Sequence, residues 1–159
     1  MNRERAKKYR IAGGKTVGLL ALILLVPFLL LAAFVHVLWG FGIHLAICLF
    51  WFTRGRRMLF VYSNSTTSRE YVESEILPRI CNQAVVLNWS DRKRWQHSLA
   101  VVAFQRFGGD RSFVPIAVVF RPFRSAKVFR FYEPFQEYKI GKRSKVDQMK
   151  AELFAAVEA

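Results

Sequence analysis

The sequence is short of sulfur, of histidine and of negative charge. Two cysteines in 159 residues, Cys48 and Cys81, are too few and too separated for a disulfide framework or a zinc cage, so a reducing compartment is expected. The three histidines leave only His97 outside the long apolar run, and nothing in the sequence places it beside a serine or threonine that needs a base. Acidic residues number 11 against 25 Lys and Arg, a formal net charge of +14. An imbalance of that size points to nucleic acid or an anionic membrane surface. No internal repeat or low-complexity segment is present.

Charge is missing altogether over one stretch. From Thr16 to Thr53, 38 residues, there is no Asp, Glu, Lys or Arg, whereas about 20 residues suffice for a helix to cross the hydrocarbon core. Composition breaks at His36-Val37-Leu38-Trp39-Gly40-Phe41-Gly42, which reads as an interfacial turn. The expectation is a transmembrane hairpin over residues 16–56, with helices over 16–36 and 41–56. It follows a basic leader, residues 1–15, that carries Arg3, Arg5, Lys7, Lys8, Arg10 and Lys15 against Glu4 alone. Arg54, Arg56 and Arg57 follow the run, and positive charge on both flanks places both on the cytoplasmic side. The protein is thus expected to be integral, multi-pass and to carry a cytoplasmic domain. The rival is one tilted span with a second, interfacial helix, which puts the domain outside if the richer N-terminal cluster sets orientation. The run far exceeds a signal peptide's apolar core, and no small-x-small cleavage site follows it. Pro27 predicts a kink. His36 and His44 could ligate a metal or haem, but their place near the expected turn gives each a partner in water.

Beyond the run, about a hundred residues suffice for one small domain. Met58–Tyr62 reads as a strand, and the cluster from Ser63 to Ser68 as the approach to a helix over Arg69–Ile80 with acid in its early turns. Ala84–Trp89 is a second strand. Ser90–Arg94 is a polar turn, and Trp95–Phe107 a second helix stopped by Gly108-Gly109. Phe113–Phe120, through Pro115, and Lys127–Tyr132 are two further strands joined by a turn around Pro122–Ser125. Lys145–Val157 closes the chain as an amphipathic helix with Val146, Met149, Leu153, Phe154 and Val157 on one face.

The order over residues 58–159, βαβαββα, resembles the thioredoxin-like superfamily, and Val114-Pro115 before the third strand is similar to that superfamily's cis-proline. The fold class expected is therefore α/β, a transmembrane hairpin joined to a thioredoxin-like domain. Thioredoxins and glutaredoxins carry C-x-x-C where the first strand meets the first helix, because the helix N-terminus favours a thiolate. Aligning Tyr62-Ser63 with the similar pair of glutaredoxins puts Thr67 and Glu70 at the two cysteine positions. Threonine performs no thiol–disulfide exchange. The resemblance then implies a redox-inactive domain with a partner groove formed by Ser65, Thr67 and Ser68 facing Val114 and Pro115. Plain helix capping by Ser65–Ser68 is the competing account. Cys81 lies toward the far end of the helix, where the dipole opposes a thiolate and a structural thiol is expected.

Basic clusters recur at Arg54, Arg56 and Arg57, at Arg92, Lys93 and Arg94, around Arg121 to Arg130, and at Lys139 to Lys145. Beside an anchored segment, the first two are candidate contacts for anionic headgroups, each worth about 1 kcal/mol per nearby cation. Aromatics alternate with cations at Phe120–Arg124 and Phe129–Tyr132, a pattern found in nucleic-acid binders and equally in half-buried strands, and strand is the reading adopted. Asn64-Ser65-Thr66 and Asn88-Trp89-Ser90 match the glycosylation sequon. The expected partners are the lipid bilayer, a protein and anionic headgroups. No catalytic residue, metal ligand, cofactor or small-molecule ligand is assigned. The expected function is a membrane-anchored binding or assembly module, with a thiol oxidoreductase using Cys81, or an anionic lipid or nucleic-acid binder, as alternatives.

Overall fold

A computed structural model describes residues 3–109, 114–122 and 124–158, with side chains from Leu24 onward except that of Thr67. Phe113 and Phe123, and the side chains of the basic leader, lie outside the described residues.

The apolar run does not fold back on itself. Helix α1 is continuous from Arg3 to Phe50 and passes through Gly40-Phe41-Gly42 without a turn, with Pro27 inside it. Glycine lowers helix stability by about 1 kcal/mol per residue but does not forbid the helix. The apolar residues that follow have a packing reason to stay helical. Ile43, Ile47 and Trp51 recur every four residues and all are buried, which requires one helical face. One helix, Leu24–Arg54, is long and apolar enough to cross a membrane. The chain divides into two compact units between Phe41 and Gly42, so the last turns of α1 belong to the same unit as the sheet.

After a 3-10 turn at Phe52–Arg54 and Gly55 at φ 70°, β1 runs Met58–Tyr62. Helix α2, Thr66–Tyr71, continues through a π turn at Val72–Ile76 into α3, Leu77–Ile80. Strand β2 is Ala84–Asn88, a 3-10 helix covers Trp89–Arg94, and α4 is Leu99–Phe107. Strands β3, Ile116–Arg121, and β4, Arg124–Arg130, precede α5, Tyr132–Lys139, and α6, Ser144–Glu158. The four strands lie in the order β2-β1-β3-β4, β1 parallel to β2 and antiparallel to β3, β3 antiparallel to β4.

Both sheet faces are covered. Met58, Phe60, Ala117, Val119 and Phe129 point to α2, α3, α5 and α6, while Leu59, Val61, Ile116, Val118 and Phe120 point to α4 and the end of α1. This is why β1 and β3 read as unbroken apolar runs rather than as alternating ones. The fold is therefore a mixed α/β sheet with helices on either side.

Local chemistry moved several boundaries. Residues 95–98 are not helical, because the Ser98 hydroxyl accepts the Val101 N–H and starts α4 there. Strand β4 begins at Arg124, leaving a tighter turn than expected. Phe131 makes the last bond of the pairing with β3, its N–H donating to Pro115 O at 2.9 Å; Pro115 has no N–H to return the bond, and the Phe131 carbonyl instead accepts from Phe135 N at 2.9 Å as Phe131 turns to φ -90°, ψ -2°. That starts α5, which the sequence reading omitted; Pro134 falls in its first turn, where its missing N–H has no helical partner to lose. The π turn precedes Pro78, and a wider turn relieves the clash of a mid-helix proline ring with the carbonyl four residues back.

Candidate functional site

The residues proposed for a partner groove meet at one end of the sheet. Strand β1 ends at Tyr62, and its register with β3, Val61 opposite Ile116, places Pro115 across from Tyr62 when continued by one residue. The Val114-Pro115 bond is cis. Ser65 is the N-cap of α2; its carbonyl accepts from Ser68 N at 3.2 Å and Arg69 N at 2.9 Å, while its side chain makes no capping bond. Ser65 is exposed and Val114 half-buried. Ser68 does not line a groove: it is 3% exposed, on the stripe of Ser68, Val72, Ile76 and Ile80 that faces inward. Pro115 is buried as well, and Thr67's side chain lies outside the described residues.

Neighbouring loops brace this end. Asn88 Nδ2 donates to Asn64 Oδ1 at 2.8 Å, Asn88 Oδ1 accepts from Ser90 N at 3.0 Å, and Asn64 N donates to Ser90 Oγ at 3.0 Å. The two asparagines that matched a sequon thus tie the β1–α2 loop to the end of β2. Beyond them Trp89, Trp95 and Phe104 pack edge to face, with ring centres 5.6 to 5.9 Å apart. Arg92 lies 4.9 Å from the Trp89 ring centre, at the edge of a cleft of about 250 Å³ that His97 also lines. The Tyr62 hydroxyl donates to Glu73 at 3.5 Å, and burial, then the Glu73 carboxylate, raises the Tyr62 phenol above its ordinary pKa.

Cys81 is far from this junction. It follows α3, at the other end of the helical stretch that Ser65 opens, and its Sγ lies 3.5 Å from Pro78 O. Both cysteines are free. His44 is held by the protein: its Nε2 is 3.0 Å from Arg121 O, and its ring packs against Phe107 and Phe120.

The two cationic clusters assigned to one anionic surface lie at opposite ends of the sheet. Arg57 directly precedes β1, whereas Arg92, Lys93 and Arg94 follow the end of the parallel strand β2. A five-residue strand separates them by about 15 Å. Arg57 is joined instead by Arg121 and Arg124, which end β3 and open β4; the three line a cavity of about 460 Å³ with Phe52, Phe120 and Val157. Arg54 and Arg56 are exposed beside it without lining it. The sequence reading had placed Arg121 and Arg124 in a separate cluster. The signal that pairs them with Arg57 is antiparallel register, which brings the start of β1 to the end of β3; Phe120 N donates to Arg57 O at 2.9 Å.

No known protein family, curated protein or solved structure matches this chain.

Proposed function

We propose that the protein is a membrane-anchored, redox-inactive binding or assembly module whose domain is thioredoxin-like and docks a protein partner. The single observation that carries the reading is the junction of β1 and α2. It lies beside Val114-Pro115 and carries Thr67 and Glu70 at the two positions where a thioredoxin-like oxidoreductase needs sulfur. The strand order β2-β1-β3-β4, with β1 parallel to the edge strand β2 and β3 and β4 an antiparallel hairpin, supports the same reading. Cys81 at the far end of the helix argues against a thiol enzyme. Helix α1 supplies the anchor, its apolar side chains from Leu24 to Phe41 being largely exposed, as those of a membrane span are.

The test is a photocrosslinking amino acid placed singly at Ser65, Val114 and Lys142 of the full chain in native membranes. The expected outcome is one discrete adduct shared by Ser65 and Val114 and missing at Lys142, which is exposed on the α5–α6 loop. Adducts of the same pattern at all three positions, or at none, would overturn the docking reading.

A further inference from the structure

The cavity lined by residues at the start of β1, the end of β3, the start of β4 and the end of α6 is at the sheet end opposite the proposed partner groove. Three arginines open into it, and none of them forms an ion pair with a carboxylate among the described residues. Glu158, the residue after Val157 on the cavity wall, makes no ion pair with them either. Arg121 is held in place by its backbone, whose carbonyl lies 3.0 Å from His44 Nε2. Its Nε is shielded from solvent and has no hydrogen-bond partner among the described residues. A shielded, unpaired donor on a charged group is costly unless something accepts from it. Arginines that line one cavity without a carboxylate favour an anion with several oxygens, and a phosphate can accept from more than one forked donor.

The rest of the lining narrows the ligand. Phe52, Phe120 and Val157 give the cavity apolar walls beside the cations. A free phosphate has no use for them, whereas the glycerol and first acyl carbons of a phospholipid do. Phe52 is the next-to-last residue of the uncharged run, which ends at Thr53, and Arg57 follows that end by four residues. We infer that this cavity is a binding site for the phosphate of an anionic phospholipid, with Arg57, Arg121 and Arg124 as its ligands. The assignment of the phosphate to a lipid rests on the membrane-anchored reading of α1. It does not depend on the thioredoxin-like reading of the domain or on the partner groove.

The experiment uses the full chain in mild non-ionic detergent, with native mass spectrometry counting retained phosphatidylglycerol or phosphatidylcholine, and thermal shift reporting inorganic phosphate. Arg57 and Arg124 are exposed residues, so Arg57→Gln with Arg124→Gln is compared with Lys139→Gln with Lys142→Gln, an equal loss of charge at exposed positions away from the cavity. The expected result is selective retention of phosphatidylglycerol, falling about tenfold or more in the arginine pair and staying near wild type in the lysine pair. Equal losses in both pairs would mean diffuse charge attraction and overturn the site. Equal retention of both lipids, or of neither, would overturn it too. Stabilisation by inorganic phosphate that disappears only in the arginine pair, without lipid selectivity, would overturn the lipid as the source. If the arginine pair unfolds, Arg124→Lys alone, which keeps the charge and loses the fork, is expected to lower retention while leaving the melting temperature unchanged.

Discussion

Asp147 shows how one side chain links two helices. Its Oδ1 accepts from the Tyr71 hydroxyl at 2.8 Å and lies 3.1 Å from Lys150 Nζ, which also reaches Glu75 at 3.2 Å. The Tyr71 hydrogen bond first, and Lys150 second, hold the Asp147 carboxyl below its ordinary pKa. Burial holds the Tyr71 phenol up, so it remains a donor. Lys150 is raised by Tyr71, Asp147 and Glu75. A carboxyl depressed in the folded state adds stability above its unfolded pKa, about 3.9, and loses it as pH falls through the lower folded value. The Asp147 side chain is 52% exposed, so screening keeps the effect small. Asp147→Asn is therefore expected to lose about 1 kcal/mol at neutral pH, a gap that closes below about pH 4. Chemical denaturation across that range checks it, and a gap that widened toward acid would contradict the assignment. Ser68 belongs to the same scale: a hydroxyl in a loop-like run reads as surface, yet its spacing of four from Val72, Ile76 and Ile80 is the inward stripe.

Among the elements, the end of α1 is where composition and packing diverge. The run from Thr16 to Thr53 is uniformly uncharged, and nothing in composition alone separates residues that face lipid from those that face a protein core. The period does: Ile43, Ile47 and Trp51 form one face, and their burial explains why the run is longer than one span needs. Ile47→Ala is accordingly expected to destabilise the domain by about 2 to 5 kcal/mol in detergent-solubilised protein. Leu45→Ala, at a position 48% exposed, is expected to change stability by less than about 0.5 kcal/mol. Equal, small losses at both would detach this segment from the domain core. Strands β1 and β3 were legible because full burial makes them continuous apolar runs, and α6 because its apolar face repeats at helical spacing. Helix α5 was hidden because Phe131 and Tyr132 extend the apparent strand, and the pairing stops at Pro115, a residue sixteen away in the sequence that has no N–H to return to the Phe131 carbonyl. The arginine cavity was hidden for the same reason, since only strand register brings Arg57 to Arg121.

At the scale of the whole chain, a single continuous helix changes what the flanking charge means. A hairpin returns to the side it started from, so basic flanks on both ends agree with one another. One crossing puts them on opposite sides, and they compete. Six Lys and Arg lie within the fifteen residues before the run, against Arg54, Arg56 and Arg57 in the fifteen after it. If the helix crosses once, the richer flank is expected to stay in the cytoplasm and the domain to lie across the membrane. A reporter fused at Ala159 is then expected to be active only as a non-cytoplasmic fusion, and exposed Cys81 to react with a membrane-impermeant maleimide in intact cells. Replacing Arg5, Lys7 and Lys8 with Gln is expected to shift part of the population to the reverse orientation, because the two flanks then carry three cations each. A cytoplasmic reporter in the unaltered chain, with Cys81 protected, would mean that the helix enters the other way or does not cross. An external domain also alters what Asn64 and Asn88 do, because a sequon matters only on that side. With Asn88 Nδ2 already donating to Asn64 Oδ1, attachment of a glycan at Asn88 requires this loop contact to open first.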